Sequence, residues 1–169
     1  SGASAPGRDA VAQPVPQPLA GLTVVEFTHM VMGPTCGMVL ADMGAEVIKV
    51  EPIDGDRTRH LLGSGAGFFP MFNRNKKSVT LNLKLTGGRE AFHRLARTAD
   101  VVMNNLRGDQ PARLGLDYAT LGPVNPRIVC AHLSAYGRDN ERRGWPGYDY
   151  LMQAEAGYLH DQGAVEGRV

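Results

Sequence analysis

The chain has 169 residues, 18 basic and 17 acidic side chains, and a formal net charge of +1, so it fits one domain and its bulk charge selects no partner. The strongly basic surface of a dedicated nucleic-acid binder is absent, and no block of five like charges forms a polyionic tail. A hydrophobic share of 43% with 21% charged residues is a globular composition, and 21 glycines with 11 prolines point to many turns around a packed core.

The first 18 residues carry Pro6, Pro14, Pro16 and Pro18 without an apolar run, and read as a flexible leader or tag remnant rather than a signal peptide; the domain proper is expected over 19–169. Leu22–Phe27 has the β-branched richness of a buried strand. Cys36, Val39, Leu40 and Met43 then repeat at i, i+3, i+4, i+7, and Ala45–Val50 supplies a second strand. Together they predict a β-α-β unit with parallel strands. Residues 51–77 lack any sustained period and read as a long loop, the kind that tends to carry function.

Ser78–Leu83 alternates as a strand, Phe92, Leu95, Ala96 and Ala99 take helical spacing, and Asp100–Met103 returns as strand. Gly115–Leu121 predicts a short helix, Arg127–Leu133 a buried strand and Tyr148–Leu159 a final helix. The alternation predicts an α/β fold: a Rossmann-like, doubly wound, mainly parallel sheet. The longest uncharged stretch, Phe27–Ala41, is too short to span a bilayer, so no membrane association is expected. Two cysteines, Cys36 and Cys130, in apolar contexts predict reduced, buried thiols in a cytoplasmic protein, and no metal-ligand spacing is present.

Three groups of residues could carry chemistry. The segment Thr28–Pro34 follows the first strand, where open α/β sheets bind ligands, although the dinucleotide fingerprint is missing. His29 there fits either a ligand contact or a hydrogen-bonded strand-end histidine. Arg57, Arg59, Arg74, Lys76 and Lys77 cluster in the long loop and could bind phosphates, or form a solvated surface offset by Glu51, Asp54 and Asp56. Asp149 opens the final helix, where the dipole alone accounts for an acid.

The chain also resembles a known family. PLAGLTVVEF (18–27), Gly33-Pro34 with LADMGAEVIKVEP (40–52), NRNKKSVTLNLK (73–84), ADVVMNN (99–105), RLGL (113–116), NPR (125–127) and GYD (147–149) occur in unbroken order. They resemble the class III CoA-transferases, the CaiB/BaiF family of formyl-CoA transferase, carnitine CoA-transferase and α-methylacyl-CoA racemase. The resemblance runs from Leu19 to Val169 and implies a Rossmann-like domain that binds coenzyme A in an interlocked homodimer.

By this resemblance, His29, Met30 and Val31 approach the thiol end of CoA or acyl-CoA. Leu81, Asn82, Leu83, Lys84, Asn105 and Arg113 match positions that hold adenine, ribose and phosphates, while Arg57, Lys76, Lys77 and Tyr148 complete the candidate binding set. The family's nucleophile is an aspartate that passes through an anhydride and an aspartyl-CoA thioester. Relative to the segment resembling Glu166–Val169, that aspartate is expected just past Val169, and Asp149 matches a supporting carboxylate beside it. This implies a CoA-binding portion, inactive alone, of an acyl-CoA:carboxylate CoA-transferase that needs a remaining segment or second chain. Two alternatives are a non-catalytic CoA-binding or structural subunit of a split enzyme and a racemase. Racemases place a histidine where this chain has Tyr148, and Asn82 and Asn104 stand where acids are frequent in relatives.

Overall fold

The computed structural model describes residues 15–161. Five strands, β1 (Thr23–Phe27), β2 (Glu46–Glu51), β3 (Lys76–Thr80), β4 (Val101–Asn104) and β5 (Val129–His132), form one sheet in the order β3-β2-β1-β4-β5. All four pairings are parallel. The helices are α1 (Met32–Asp42), α2 (Phe68–Phe72), α3 (Thr86–Thr98), α4 (Gln110–Arg113), α5 (Tyr118–Leu121), α6 (Asp149–Glu155) and α7 (Tyr158–Asp161). The chain builds outward from β1 to β3, then returns to place β4 on the other side of β1. The reversal makes the carboxyl ends of β1 and β4 a topological switch point, where a crevice opens.

Both sheet faces are covered, as parallel strands require. On one face Val25, Phe27, Val50 and Val102 pack under Phe92 and Ala96 of α3, with Leu116, Leu121 and Ile128 closing the layer; Phe27 meets Phe92 edge to face at 5.0 Å. The opposite face, under α1, is apolar at its amino end, where Val24, Val47, Met103, Ala41 and Ala45 cluster. Toward the carboxyl ends the strand period places Glu26, Lys49 and Glu51 on this same face, all three buried. Gly44 ends the α1 turn at φ +101°, a left-handed cap only glycine adopts freely.

Most predicted elements stand close to where the periodicity placed them, with differences: α4 is not among them, α5 is confined to Tyr118–Leu121, and β5, expected as a buried strand over Arg127–Leu133, is Val129–His132 with Val129 exposed. The third strand runs Lys76–Thr80 rather than Ser78–Leu83, because the chain turns at Asn82, whose side chain and carbonyl accept from the Lys84 and Leu85 amides. The 51–77 loop contains two short 3-10 turns, Arg57–His60 and Gly63–Gly65, besides α2. The final helix divides into α6 and α7 at Gly157, whose φ is +76°. Most of the expected leader, residues 1–14, lies outside the described residues; Gln17 already lies beside Gly44, and the Leu19 amide donates to the Met43 carbonyl at 2.9 Å. Cys36 and Cys130 are half-buried free thiols.

Candidate functional site

A cleft of about 890 Å³ opens at the carboxyl ends of β1, β2 and β3. Its floor is apolar, from Phe27, Val50, Leu81, Leu83, Leu106 and Leu114; its rim carries His29, Arg57, His60 and Lys84, with Tyr148 at one edge. Each wall has a local cause. The 81–84 wall is a tight turn: Asn82 Oδ1 accepts from the Lys84 amide at 3.0 Å, and the Leu85 amide donates to the Asn82 carbonyl at 3.0 Å. The first turn of α3 rests directly on this turn, since a Cβ on Gly88 would lie 2.1 Å from the Asn82 carbonyl oxygen. Arg89 Nε then donates to the Leu83 carbonyl at 2.7 Å. Leu81 and Leu83 are thereby fixed facing the cleft.

The opposite wall is the elbow between β1 and α1. Met30 sits at φ +64°, a left-handed conformation uncommon outside glycine. Asn105 grips His29 from behind: its Nδ2 donates to the His29 carbonyl at 2.9 Å and its Oδ1 accepts from the His29 amide at 3.0 Å. Gly33 makes the close approach possible, because a Cβ there would fall 2.7 Å from Thr28 and 2.9 Å from Asn105. Partial burial lowers the basicity of the His29 imidazole, opposed by the nearby Asp56 carboxylate. At neutral pH the ring is therefore held toward its neutral form, able to donate and accept one hydrogen bond each.

Below the rim lies a buried ionic layer. Glu51 accepts a fork from Arg59 at 2.8 and 2.7 Å, the Ser78 hydroxyl at 2.6 Å and the Asp56 amide at 2.7 Å. Burial pushes its carboxyl up, but these donors outweigh burial and bring it down to about 2. Arg59 also stacks on Phe69 at 3.7 Å. Glu26, under α1, is raised by burial despite Lys76 at 2.8 Å and Lys49 at 3.9 Å.

The candidate residues separate accordingly. His29, Met30, Arg57, Leu81, Asn82, Leu83, Lys84 and Tyr148 line the cleft together. Val31, Lys76, Lys77, Asn105, Arg113 and Asp149 are not part of its lining. Lys76 is buried against Glu26, the Pro34 carbonyl and Asn73, while Lys77 pairs with Glu46 at the surface. Arg113 reaches Asp109 at 2.7 Å in an exposed pair, and Asp149 accepts from Gln153. Of the five loop cations, Arg57 alone lines the cleft without a carboxylate partner among the described residues. Sequence reasoning did not single out Lys49 or Thr58, whose roles depend on tertiary neighbours that no spacing reveals. Among the described residues no cluster of His, Cys, Asp and Glu could hold a metal ion, and no helix is long and apolar enough to cross a membrane.

A family model described as CoA-transferase family III matches residues 19–169. An acyl-CoA transferase of Fusarium pseudograminearum is 41% identical over 162 residues, covering 88% of this chain and 36% of that protein. A succinate–glutarate CoA-transferase of Agrobacterium fabrum is 36% identical, covering 89% of this chain and 40% of its own length. Among solved structures, Rv3272 from Mycobacterium tuberculosis superposes with TM-score 0.82 at 40% identity, over 90% of this chain and 44% of that one. The chain spans about two-fifths of the length of the curated relatives it matches. With the family model matching residues 19–169 and the same sheet in a solved relative, the chain belongs to CoA-transferase family III.

Proposed function

We propose that this chain is the coenzyme A-binding portion of an acyl-CoA:carboxylate CoA-transferase. The observation that carries the reading is the cleft itself: an apolar floor at the carboxyl ends of β1, β2 and β3, bordered by Arg57, His60 and Lys84, and closed at one end by the His29–Met30 elbow. Coenzyme A requires those parts, an apolar slot for adenine, cationic groups for its pyrophosphate and 3′-phosphate, and a channel for the pantetheine arm. Lys84 and Arg57 meet phosphates in this reading, and His29, Met30 and the adjoining Val31 approach the thioester. Arg113 closes α4 next to Leu114 and joins the phosphate set only by leaving Asp109. Asn105 serves by holding the elbow, and Tyr148 with Asp149 borders the acyl end. Lys76 and Lys77 support the third strand beneath.

The transfer in this reading uses an aspartate beyond Val169. Its carboxylate attacks the acyl-CoA carbonyl and expels CoA thiolate, leaving a mixed anhydride. The thiolate attacks the aspartyl carbonyl, which releases the donor carboxylate and leaves an aspartyl-CoA thioester. The acceptor carboxylate attacks that thioester, and the thiolate it expels then attacks the acceptor's acyl carbonyl, forming the new acyl-CoA and regenerating the aspartate. The remaining segment of the enzyme, within a cytoplasmic homodimer, supplies the nucleophile and the acceptor pocket.

Calorimetric titration of the 169-residue chain with CoA is the test, paired with hydroxylamine trapping during incubation with an acyl-CoA. Binding of CoA without any trapped acyl-enzyme is the expected result. No binding would remove the cleft from the argument, and a hydroxamate formed on this chain alone would place the nucleophile inside it.

A further inference from the structure

We propose that Lys49, Asp56 and Thr58 are positioning residues that hold the His29–Met30 elbow in a conformation its own backbone disfavours. Met30, at φ +64°, brings its Cβ against the backbone, and a residue stays there only where its surroundings impose it. The surroundings form a nearly closed ring. Lys49 Nζ donates to the Thr28 carbonyl at 2.6 Å and lies 3.0 Å from Asp56 Oδ2. Asp56 Oδ1 accepts from both the amide and the hydroxyl of Thr58, at 2.9 and 2.8 Å. Thr58 Oγ1 in turn accepts from the Met30 amide at 3.1 Å. Thr28, His29 and Met30 are thus each tied by a backbone atom, with Asn105 supplying the middle tie.

Lys49 is 1% exposed and is not part of the cleft lining, so it acts on a ligand only through the elbow. Burying an ammonium between carboxylates gains little over a well-packed apolar side chain of the same volume. What only the ammonium provides at this position is a donor to the Thr28 carbonyl and a fixed place for Asp56. Asp56 in turn caps the 57–60 turn and aims the Thr58 hydroxyl at Met30. The sheet thereby sets the height of the elbow: Lys49 stands in β2 opposite Glu26 of β1, and its ammonium reaches forward to the Thr28 carbonyl just past the end of β1. The inference deepens the ligand-binding reading, since the elbow is what that reading places at the thioester, but the ring is testable without ligand.

Amide hydrogen exchange followed by NMR on the 169-residue chain and its Thr58→Val, Thr58→Ser and Lys49→Met variants provides the test. Met30 loses its acceptor directly in Thr58→Val, so His29, whose amide bonds Asn105, is the informative probe. The expected result is exchange about tenfold faster at both His29 and Met30, the scale of one lost hydrogen bond, with amides of Val24–Phe27 and Val47–Val50 unchanged. Thr58→Ser restores the wild-type rates, and Lys49→Met accelerates the same two amides further. Acceleration at Met30 alone, unchanged rates, or uniform acceleration through β1 and β2 each overturns the proposal. Should Lys49→Met not fold, the Thr58 pair decides. A parallel CoA titration separates the two readings: Thr58→Val weakens CoA binding if both hold, whereas absence of binding to the wild type sinks the functional reading and leaves the elbow to the exchange data.

Discussion

Gly37 in α1 lies directly over the buried carboxylate of Glu26: a Cβ at position 37 would fall 1.8 Å from Glu26 Oε2 and 3.1 Å from the Lys76 ammonium. The helix can cover the charged half of its sheet face only because this position has no side chain. A glycine inside a helix ordinarily costs about 0.5–1 kcal/mol relative to alanine, so Gly37→Ala would stabilise an exposed helix. Here the sign reverses. Overpacking a core costs about 1–3 kcal/mol, and displacing a buried paired carboxylate raises the loss to about 3–5 kcal/mol. A urea midpoint equal to or above wild type for Gly37→Ala would refute the packing described.

Glu51 makes the protein acid-sensitive in a defined window. Its folded carboxyl stands at about 2 against an ordinary 4.5. The stabilisation is therefore fully present above pH 4.5 and is lost as pH falls toward 2. Its size is about 3.5 kcal/mol at most, because each pH unit between the folded and unfolded values is worth about 1.4 kcal/mol. Glu26 acts oppositely, because burial raises its carboxyl, so its protonation relieves a cost as pH falls. Glu51→Gln is expected to lower stability at pH 7 and flatten the decline between pH 4.5 and 2. Equal slopes for wild type and Glu51→Gln across that interval would show that the carboxylate is not held by its donors.

Arg59 contributes by geometry more than by charge. It makes a two-pronged contact with Glu51 and stacks its guanidinium 3.7 Å from the Phe69 ring centre. Lysine retains the charge but neither the fork nor the planar stack. Arg59→Lys is expected to lose about 1–2 kcal/mol, with faster proteolysis inside residues 51–72. An unchanged urea midpoint and cleavage pattern would assign the 51–72 segment's order to other contacts.

The order of strands and helices was legible because apolar periodicity records which face of an element is buried, and β1, β2, α3 and β4 show it plainly; in α1 the period located the helix but not its buried face, which is Gly33, Pro34, Gly37 and Ala41, while Val39 and Met43 are exposed. The place of the cleft was legible in part: parallel strands put their loops at one end, which pointed to Thr28–Pro34, whereas Leu81–Lys84 was named only by the family resemblance, because the alternation there reads as strand through Leu83 although β3 ends at Thr80. The ionic layer was hidden. Nothing in the spacing of Glu26, Lys49 and Glu51 marks them as an interior ionic group, and only the cover of α1 and the 51–60 loop makes them one. The same blindness applied to the loop cations, which look alike in sequence. Lys76 became a buried partner of Glu26, whereas Arg57 remained at the cleft. The left-handed Gly157, at φ +76°, splits the last helix, and the apolar pattern on either side gives no sign of the break.

Lys84 and Arg113 separate a cleft cation from a surface one. Lys84 lines the cleft next to the Asn82 turn, so in the proposed reading its ammonium meets a CoA phosphate. Lys84→Ala is then expected to weaken CoA binding by about 1.5–3 kcal/mol, the scale of a hydrogen bond to a charged group, with a smaller loss at high salt. Arg113 is already paired with Asp109, both side chains more than half exposed, and such a pair contributes about 0–1 kcal/mol to stability. Removing it should change CoA affinity less than Lys84→Ala does. Titrating CoA and dephospho-CoA into wild type, Lys84→Ala and Arg113→Ala also locates the phosphate. If Lys84 meets the 3′-phosphate, its substitution costs affinity for CoA and almost none for dephospho-CoA; if it meets the pyrophosphate, both ligands lose equally. A larger loss from Arg113→Ala than from Lys84→Ala would mean that Arg113 abandons Asp109 on binding and that the phosphates lie toward α4 rather than along the 81–84 wall.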